Sequence, residues 1–129
     1  MSTRSRIGIL NKDKTITSIY CHFDGYLDGV GKNLKNNWTK TAKIDKLMTL
    51  GNLSSLGAII GKKQNFNSPT DKNWCLAYGR DRGESYVRCA DSTDLADYYD
   101  LAQECYADFA YLWTGKEWNT VVGGKLTKF

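Results

Sequence analysis

Hydrophobic and polar residues alternate near both ends of this chain, with the period of two that is typical of a half-buried β-strand. Residues 6–10 and 15–20 show this alternation, and the polar segment 11–14 between them favours a turn. Residues 109–113 and 117–122 repeat the pattern around a turn that contains a glycine. Each pair of segments therefore predicts a β-hairpin.

Three other segments carry an apolar stripe at the spacing of one helix face. These stripes run through residues 27–38, 44–50 and 95–106. Gly51 follows the second stripe directly, as expected of a residue that ends a helix. The sequence therefore predicts two or three helices.

The middle of the chain gives weaker signals. Residues 74–78 and 84–89 favour two short strands, and the glycine-flanked segment 79–83 between them favours a turn. Residues 61–71 are polar and contain the only proline, so we expect an exposed loop there. The tail at residues 123–129 is predicted to be loose.

Strands outnumber helices in this pattern, and short turns join them, which favours an α+β fold. We predict an antiparallel sheet of hairpins with two or three helices packed on one face. The 129 residues are the length of a single domain, which we assign to residues 1–129.

Composition narrows the classes of function. Apolar residues make up 41% and charged residues 25% of the chain, which is typical of a globular protein. The net charge of +4 is spread along the sequence with acidic residues interleaved, so direct nucleic-acid binding is not indicated. No apolar run is long enough to span a membrane. The eight tyrosines suit a binding surface, or simply the edges of sheets and helices.

The four cysteines show no C-x-x-C pair, and the N-terminal residues show no apolar secretion signal. Since cytosolic thiols stay reduced, we expect shielded, reduced thiols at these four positions. A zinc site is the alternative, although the close ligand pairs that usually identify one are missing. The cysteines are Cys21, Cys75, Cys89 and Cys105.

The most informative segment runs from residue 18 to residue 26. A predicted strand ends there beside the only histidine, His22, which is followed by Asp24 and a glycine. Three interpretations stay open: a structural corner, a cluster that contacts a ligand, or a catalytic centre. Adjacent residues of an extended strand point to opposite faces, so Cys21 and His22 are not expected to form a catalytic pair. The aromatic residues of this segment are Tyr20, Phe23 and Tyr26.

Arginines form the second candidate site. Arg80 and Arg82 lie on the predicted turn, and their guanidinium groups match phosphate or carboxylate geometry. They form either an anion clamp or a solvated turn that two neighbouring carboxylates neutralise. Arg4 and Arg6 lie at the mouth of the first strand and either solubilise a sheet edge or complete one anion pocket with the first pair. The G-x-x-x-x-G-K phosphate loop is absent.

At these residues the chain resembles a family of small phage and prophage proteins. The resemblance lies in residues 5–9, 15–26 and 51–57, with a further likeness at 78–84. It implies a phage accessory protein expressed in the cytoplasm of the infected bacterial host. Such proteins often blunt bacterial immunity, either by inhibiting a nuclease complex or by sequestering a nucleotide signal.

We therefore expect a phage-encoded binding protein that counters a bacterial antiviral defence, and binding without turnover is favoured. The first hypothesis is capture of an anionic nucleotide-type signal. Its phosphates would be held by Arg6, Arg80 and Arg82. Its base would stack on Tyr20, Phe23 and Tyr26, and its polar edges would be read by His22 and Asp24.

Two further hypotheses are kept. The second is an inhibitor that docks on a host defence protein such as a CRISPR nuclease complex, which needs an exposed aromatic or charged surface. The third is a small enzyme centred on His22. No catalytic, metal-binding or cofactor-binding motif occurs, so we expect no cofactor and no metal. The sequence leaves open whether the chain forms a homo-oligomer.

Overall fold

The structure is a computed structural model that describes residues 2–129. A sheet of eight strands forms its centre, with the order β4-β3-β2-β1-β6-β7-β8, and β5 pairs with β2 beside β3. The strands are β1 (Ser5–Leu10), β2 (Ile16–Cys21), β3 (Leu53–Ser55), β4 (Leu76–Ala77), β5 (Ala90–Ser92), β6 (Phe109–Trp113), β7 (Trp118–Val122) and β8 (Lys125–Thr127).

Both predicted hairpins are confirmed. Strands β1 and β2 pair antiparallel from Ser5 opposite Cys21 to Leu10 opposite Ile16, and β6 pairs antiparallel with β7. Two further pairings are parallel, namely β1 with β6 and β2 with β3. The sheet is therefore mixed, although most of its pairings are antiparallel.

Four α-helices accompany the sheet in residues 2–129. They are α1 (Lys32–Asn37), α2 (Thr41–Leu50), α3 (Tyr78–Arg82) and α4 (Leu95–Glu104). A single π-helical turn at Leu27–Gly31 leads directly into α1. Helix α2 ends at Gly51, whose φ of 86° is in the region that favours glycine. The predicted α+β class, with helices packed on a sheet, is confirmed.

The helices pack on both faces of the sheet rather than on one. Ile7 and Ile9 of β1 join a core that includes Leu34 and Trp38 from the α1 region and Leu47 from α2. Residues of the opposite face pack against α4 instead, because side chains of a strand alternate between the two faces. The sheet is therefore the middle layer between α1 and α2 on one side and α4 on the other.

Position 8 shows how closely α4 approaches the sheet. A Cβ atom added at Gly8 would lie 3.0 Å from the ring of Tyr98, a buried residue of α4. The hydroxyl of Tyr98 donates a 2.6 Å hydrogen bond to the carbonyl oxygen of Tyr111 in β6. Because position 8 has no side chain, the ring of Tyr98 can lie over β1, and its hydroxyl can reach the neighbouring strand β6.

Several local predictions are wrong. The segment 79–83, predicted as a turn, lies mostly in helix α3, and residues 84–89, predicted as a strand, form none. The tail 123–129, predicted to be loose, contains β8, which pairs with β7. Gln64, in the predicted exposed loop, is buried. The polar groups that hold this part of the chain together lie far apart in sequence, so local patterns do not reveal them.

No helix within residues 2–129 combines the length and the apolar character that a membrane crossing requires.

Candidate functional site

The chain turns sharply where β2 ends. The backbone N–H groups of His22 and Phe23 donate 3.0 Å hydrogen bonds to the carbonyl oxygens of Leu53 and Ser54. Asp24 then adopts a φ of 59°, in the left-handed region that few non-glycine residues occupy. Tyr26 donates to the Asp24 carboxylate over 3.4 Å. The prediction that His22 and Asp24 lie at a strand end near Tyr26 is confirmed.

His22 is bound to a tyrosine rather than to a carboxylate. Its Nδ1 atom lies 2.7 Å from the hydroxyl oxygen of Tyr20, two residues earlier on the same face of the strand. Partial burial of the imidazole, together with the positive charge of Arg4, holds the pKa of His22 below its usual value. Both effects favour the neutral form of the ring.

The neighbouring thiol is unsuited to catalysis. Cys21 is buried in the core, and its Sγ atom donates to the carbonyl oxygen of Phe23 over 3.6 Å. Burial raises the pKa of Cys21 to about 12, so the nucleophilic thiolate does not form near neutral pH. Cys21 and His22 point to opposite faces of the strand, as the sequence predicts.

The other cysteines also carry free thiols. Cys75 is buried, with a pKa raised to about 11 chiefly by that burial, whereas Cys89 and Cys105 are partly exposed. Within residues 2–129, no three histidine, cysteine or acidic side chains are grouped so that they could hold a metal ion.

The aromatic residues of the 18–26 segment do not form one cluster. Phe23, Asp24 and Tyr26 line a pocket of about 210 Å³, whereas Tyr20 and His22 do not contribute to it. Asp24 is the only charged residue among the residues that line this pocket. The His22 ring packs edge-on against Phe23 with 4.6 Å between centroids, so the two groups adjoin.

Arg80 is a structural residue. Its Nη1 and Nη2 atoms donate to the carbonyl oxygens of Ile60 (2.8 Å) and Cys75 (2.6 Å), and its Nε donates to Asp81 (2.9 Å). The guanidinium thereby joins α3 to two separate segments of the preceding chain. Its donors are used inside the protein, which argues against an anion clamp at Arg80.

Asp81 completes the same network. Its side chain is fully buried and accepts backbone N–H bonds from Gln64 (3.0 Å) and Ala77 (2.8 Å) in addition to Arg80. Burial alone would raise the pKa of Asp81, but the hydrogen bond from Arg80 and the two backbone bonds outweigh it and lower the pKa. We call this group the Arg80–Asp81 network.

Arg82 has a different environment, although it lies on the same short helix. Its guanidinium carbon is 4.5 Å from the ring centroid of Phe66 and 5.0 Å from that of Tyr78. The two rings lie 5.4 Å apart, and Glu84 pairs with the exposed guanidinium. Arg82 therefore belongs to a surface in which a cation lies over aromatic rings.

One prediction from the sequence placed Arg6 at a sheet edge, but the structure places it in a central strand. It is only 5% exposed because β1 is a central strand, with β2 on one side and β6 on the other. Its Nε and Nη2 atoms donate to the side chain (2.9 Å) and the backbone carbonyl (3.1 Å) of Ser18. Arg6 therefore uses its donors on Ser18, and Arg80 uses its donors on backbone carbonyls and Asp81, so neither guanidinium is left free for the anion pocket that the sequence suggested.

Asn52 connects the histidine group to the Arg82 surface. Its side-chain oxygen accepts a 3.0 Å hydrogen bond from the N–H of Tyr20, and its carbonyl oxygen accepts a 3.2 Å bond from the N–H of Tyr78. The positive charge of Arg4 contributes to the lowered pKa of His22. We call this surface the aromatic–arginine face. Its residues are Arg4, Tyr20, His22, Phe66, Tyr78 and Arg82.

Sequence reasoning missed two members of this face. Phe66 is an isolated aromatic residue in a polar loop, and Tyr78 was assigned to a strand. A single aromatic residue in a polar segment is not a specific signal, and Phe66 is half-buried in the structure, so no local pattern identifies it.

Comparison with known proteins found no match for this chain among protein-family models, curated proteins or solved structures.

Proposed function

We propose that this chain is a non-enzymatic binding protein of bacteriophage origin, which acts in the cytoplasm of the infected host and counters an antiviral defence by docking on a defence protein. One observation carries the choice of docking. Arg82 has a 47% exposed side chain and lies over the half-buried rings of Phe66 and Tyr78, whereas the pocket that adjoins His22 is small and acidic.

A nucleotide site enclosed by the pocket beside Asp24 is disfavoured by size and charge. Sites that enclose small molecules usually have volumes of about 300–1,000 Å³, and the pocket beside Asp24 has about 210 Å³. The Asp24 carboxylate would also repel phosphate. Arg6 and Arg80, which the nucleotide hypothesis needs, use their donors on Ser18 and on the Arg80–Asp81 network.

The aromatic–arginine face has the composition of a protein interface. Tyrosine and arginine are enriched among residues that dominate binding energy, and rigid rings lose little entropy when they become buried. The face carries Tyr20, Tyr78 and Phe66 beside two arginines, and the whole chain has a net charge of +4. An acidic surface on the partner would complement it.

A nucleotide-type signal held on the open face is the second candidate. It is supported by Arg82, which lies over Phe66 and Tyr78 and has a 47% exposed side chain. A base could stack on these groups without an enclosing pocket. Catalysis at His22 has the weakest support, because the neighbouring thiol is buried and points away.

An infection assay in a host with an active defence tests the proposal. We expect Arg82→Ala combined with Phe66→Ala to abolish protection of the phage at an unchanged melting temperature. Lys116→Ala, which removes an exposed cation from the β6–β7 turn, is the matched control and should keep full activity. Full activity of the double variant would overturn the role of this face.

Native mass spectrometry then separates the two candidates. The wild-type protein and the double variant are purified from infected, defence-active cells. A host protein that co-purifies with the wild type and not with the double variant supports docking. A small anionic molecule with the same behaviour supports the second candidate. If both preparations carry neither, the proposed function is wrong.

A further inference from the structure

We infer that the pocket beside Asp24 receives a cationic side chain, arginine or lysine, from the partner protein. This inference rests on the proposed function for the existence of a protein partner, and it adds the chemistry of one contact. We call the site the Asp24 pocket. The residues that define it are Phe23, Asp24, Tyr26, Asn33, Ser55 and Leu56.

The Asp24 pocket combines a carboxylate with two exposed rings. Phe23 and Tyr26 are 45% and 44% exposed, and they flank Asp24 in the chain and in the pocket. Aromatic faces attract ammonium and guanidinium groups, and a carboxylate accepts charge-assisted hydrogen bonds from them. Tyr26 uses only one oxygen of Asp24, over a long 3.4 Å, so the carboxylate keeps acceptor capacity for a ligand.

An unusual backbone conformation holds Asp24 in place. Its φ of 59° is unfavourable for a residue with a side chain, and such residues are concentrated at functional sites. The carbonyl oxygen of Asp24 accepts a 2.7 Å hydrogen bond from the N–H of Val30, within the π-helical turn. A Cβ atom at Gly29 would lie 2.3 Å from that oxygen, so only glycine permits this arrangement.

The π-helical turn is itself informative. Single π-turns are rare in proteins and occur frequently at functional sites. Here the turn at Leu27–Gly31 directs a backbone N–H to Asp24 and contributes Gly29 and Val30 to the wall of the pocket. Two unusual backbone features, independent of the side chains, thus coincide at this one pocket.

The size and charge of the pocket suit a cationic side chain. A volume of about 210 Å³ is small for a whole ligand but suits the end of one long side chain. Asp24 is the only charged residue that lines the pocket, and no cationic residue lines it. Phe23 contacts His22 of the aromatic–arginine face, which places the pocket at the border of the proposed interface. A partner with acidic residues near one basic residue would match both the aromatic–arginine face and the Asp24 pocket.

An NMR titration tests the inference without using the defence system. The probes are N-acetyl-arginine amide and N-acetyl-lysine amide, with AMP as the anionic comparison. We expect the cationic probes to shift the ring signals of Phe23 and Tyr26 saturably, and AMP to leave them unchanged. Binding by either cationic probe supports the inference, and the preferred probe identifies the side chain.

The matched variants are Asp24→Asn and Asp28→Asn. Asparagine adopts left-handed φ readily, so Asp24→Asn should keep the fold while it weakens binding of the cationic probe roughly tenfold or more. Asp28 is an exposed acid outside the Asp24 pocket, and its variant should bind like the wild type. If Asp24→Asn fails to fold, Asp24→Gly removes the same carboxylate at a φ that glycine accepts.

Three results would overturn the inference: no shift of the two ring signals with either cationic probe, equal binding by the Asp24 variant, or AMP binding at these rings. Failure here is distinguishable from failure of the proposed function. Loss of anti-defence activity in the aromatic–arginine face variant would stand even if the Asp24 pocket bound no cation. Conversely, if the Asp24 pocket binds cations while the aromatic–arginine face variant keeps full activity, the role of that face is refuted and the cation-binding pocket remains.

Discussion

Arg80 and Arg82 lie two positions apart on helix α3, yet they belong to different regions of the molecule. Arg80 has an 18% exposed side chain and bonds to two backbone carbonyls and Asp81. Arg82 has a 47% exposed side chain, pairs with Glu84 and lies over two rings. In the first region the guanidinium cross-links segments of the protein, whereas in the second the same chemical group is exposed to solvent.

This difference shows that an arginine is a candidate for binding only when its donors remain available. The guanidinium of Arg80 is a structural cross-link between segments of irregular backbone. That of Arg82 is held by stacking and by one exposed ion pair, which contributes little to stability. Exposure and existing partners therefore separate two residues that the sequence presents as equivalent.

The largest expected effect comes from breaking the Arg80–Asp81 network at its centre. Asp81→Ala leaves a guanidinium and the N–H groups of Gln64 and Ala77 without their acceptor. Removing one member of a buried ion pair costs about 3–5 kcal/mol, and we expect a loss of unfolding free energy in this range. Urea denaturation measures it. Asp100→Ala, at an exposed position of α4, should change stability by about 0.5 kcal/mol or less.

Acid sensitivity provides a second readout of the same residue. The folded pKa of Asp81 lies below its ordinary value of 3.8, so the folded state binds fewer protons than the unfolded state in that interval. Its contribution to stability is complete above about pH 4 and is lost as the pH falls through the folded pKa. Asp81→Asn should therefore flatten the acid limb of the stability curve. An unchanged acid limb would contradict this assignment.

The next effect is the contrast between the two arginines themselves. Arg80→Ala should lower the unfolding free energy by about 3 kcal/mol, because it leaves the Asp81 carboxylate buried without its charge partner. Arg82→Ala should change it by about 0.5 kcal/mol or less. Parallel denaturation curves check both values. Equal destabilisation by the two variants would break the comparison on which the aromatic–arginine face depends.

The smallest effect concerns His22, at the other end of that face. We expect an NMR titration of its ring to give a pKa below 6.5, which Arg4→Ala should raise because it removes a neighbouring positive charge. The stability that depends on neutral His22 is complete above pH 6.5 and is lost as the pH falls through the folded pKa. If the pKa of His22 is ordinary and Arg4→Ala does not change it, the charge of Arg4 does not act on His22.

Local patterns were sufficient for the hairpins and for two helices. The alternation around Ile7 and Ile19 predicts β1 and β2, and the stripes at 44–50 and 95–106 predict α2 and α4. The parallel pairing of β1 with β6 has no local signal, because it joins distant parts of the chain. That pairing makes β1 a central strand, which explains why Arg6 is buried rather than exposed.

The candidate site was predictable only in its strand-end part. The end of β2, with His22 and Asp24, was visible because the alternation stops there and a glycine follows. The division of the aromatic residues between the pocket and the aromatic–arginine face depends on the sharp turn at Asp24. The Asp24–Gly25 pair indicates a turn but not which side chains that turn separates. The role of Arg80 depends on backbone carbonyls of residues 60 and 75, which carry no sequence signal at all.

The parallel pairing of β1 with β6 also sets the order in which the molecule can be completed. During synthesis the first hairpin leaves the ribosome early and can form at once. The other edge of β1 stays unpaired until Phe109 and the strand that it begins have been made. Contacts between such distant residues slow folding, and an open strand edge can meanwhile pair with other chains. The nascent protein is therefore most exposed to aggregation just before its C-terminal hairpin emerges.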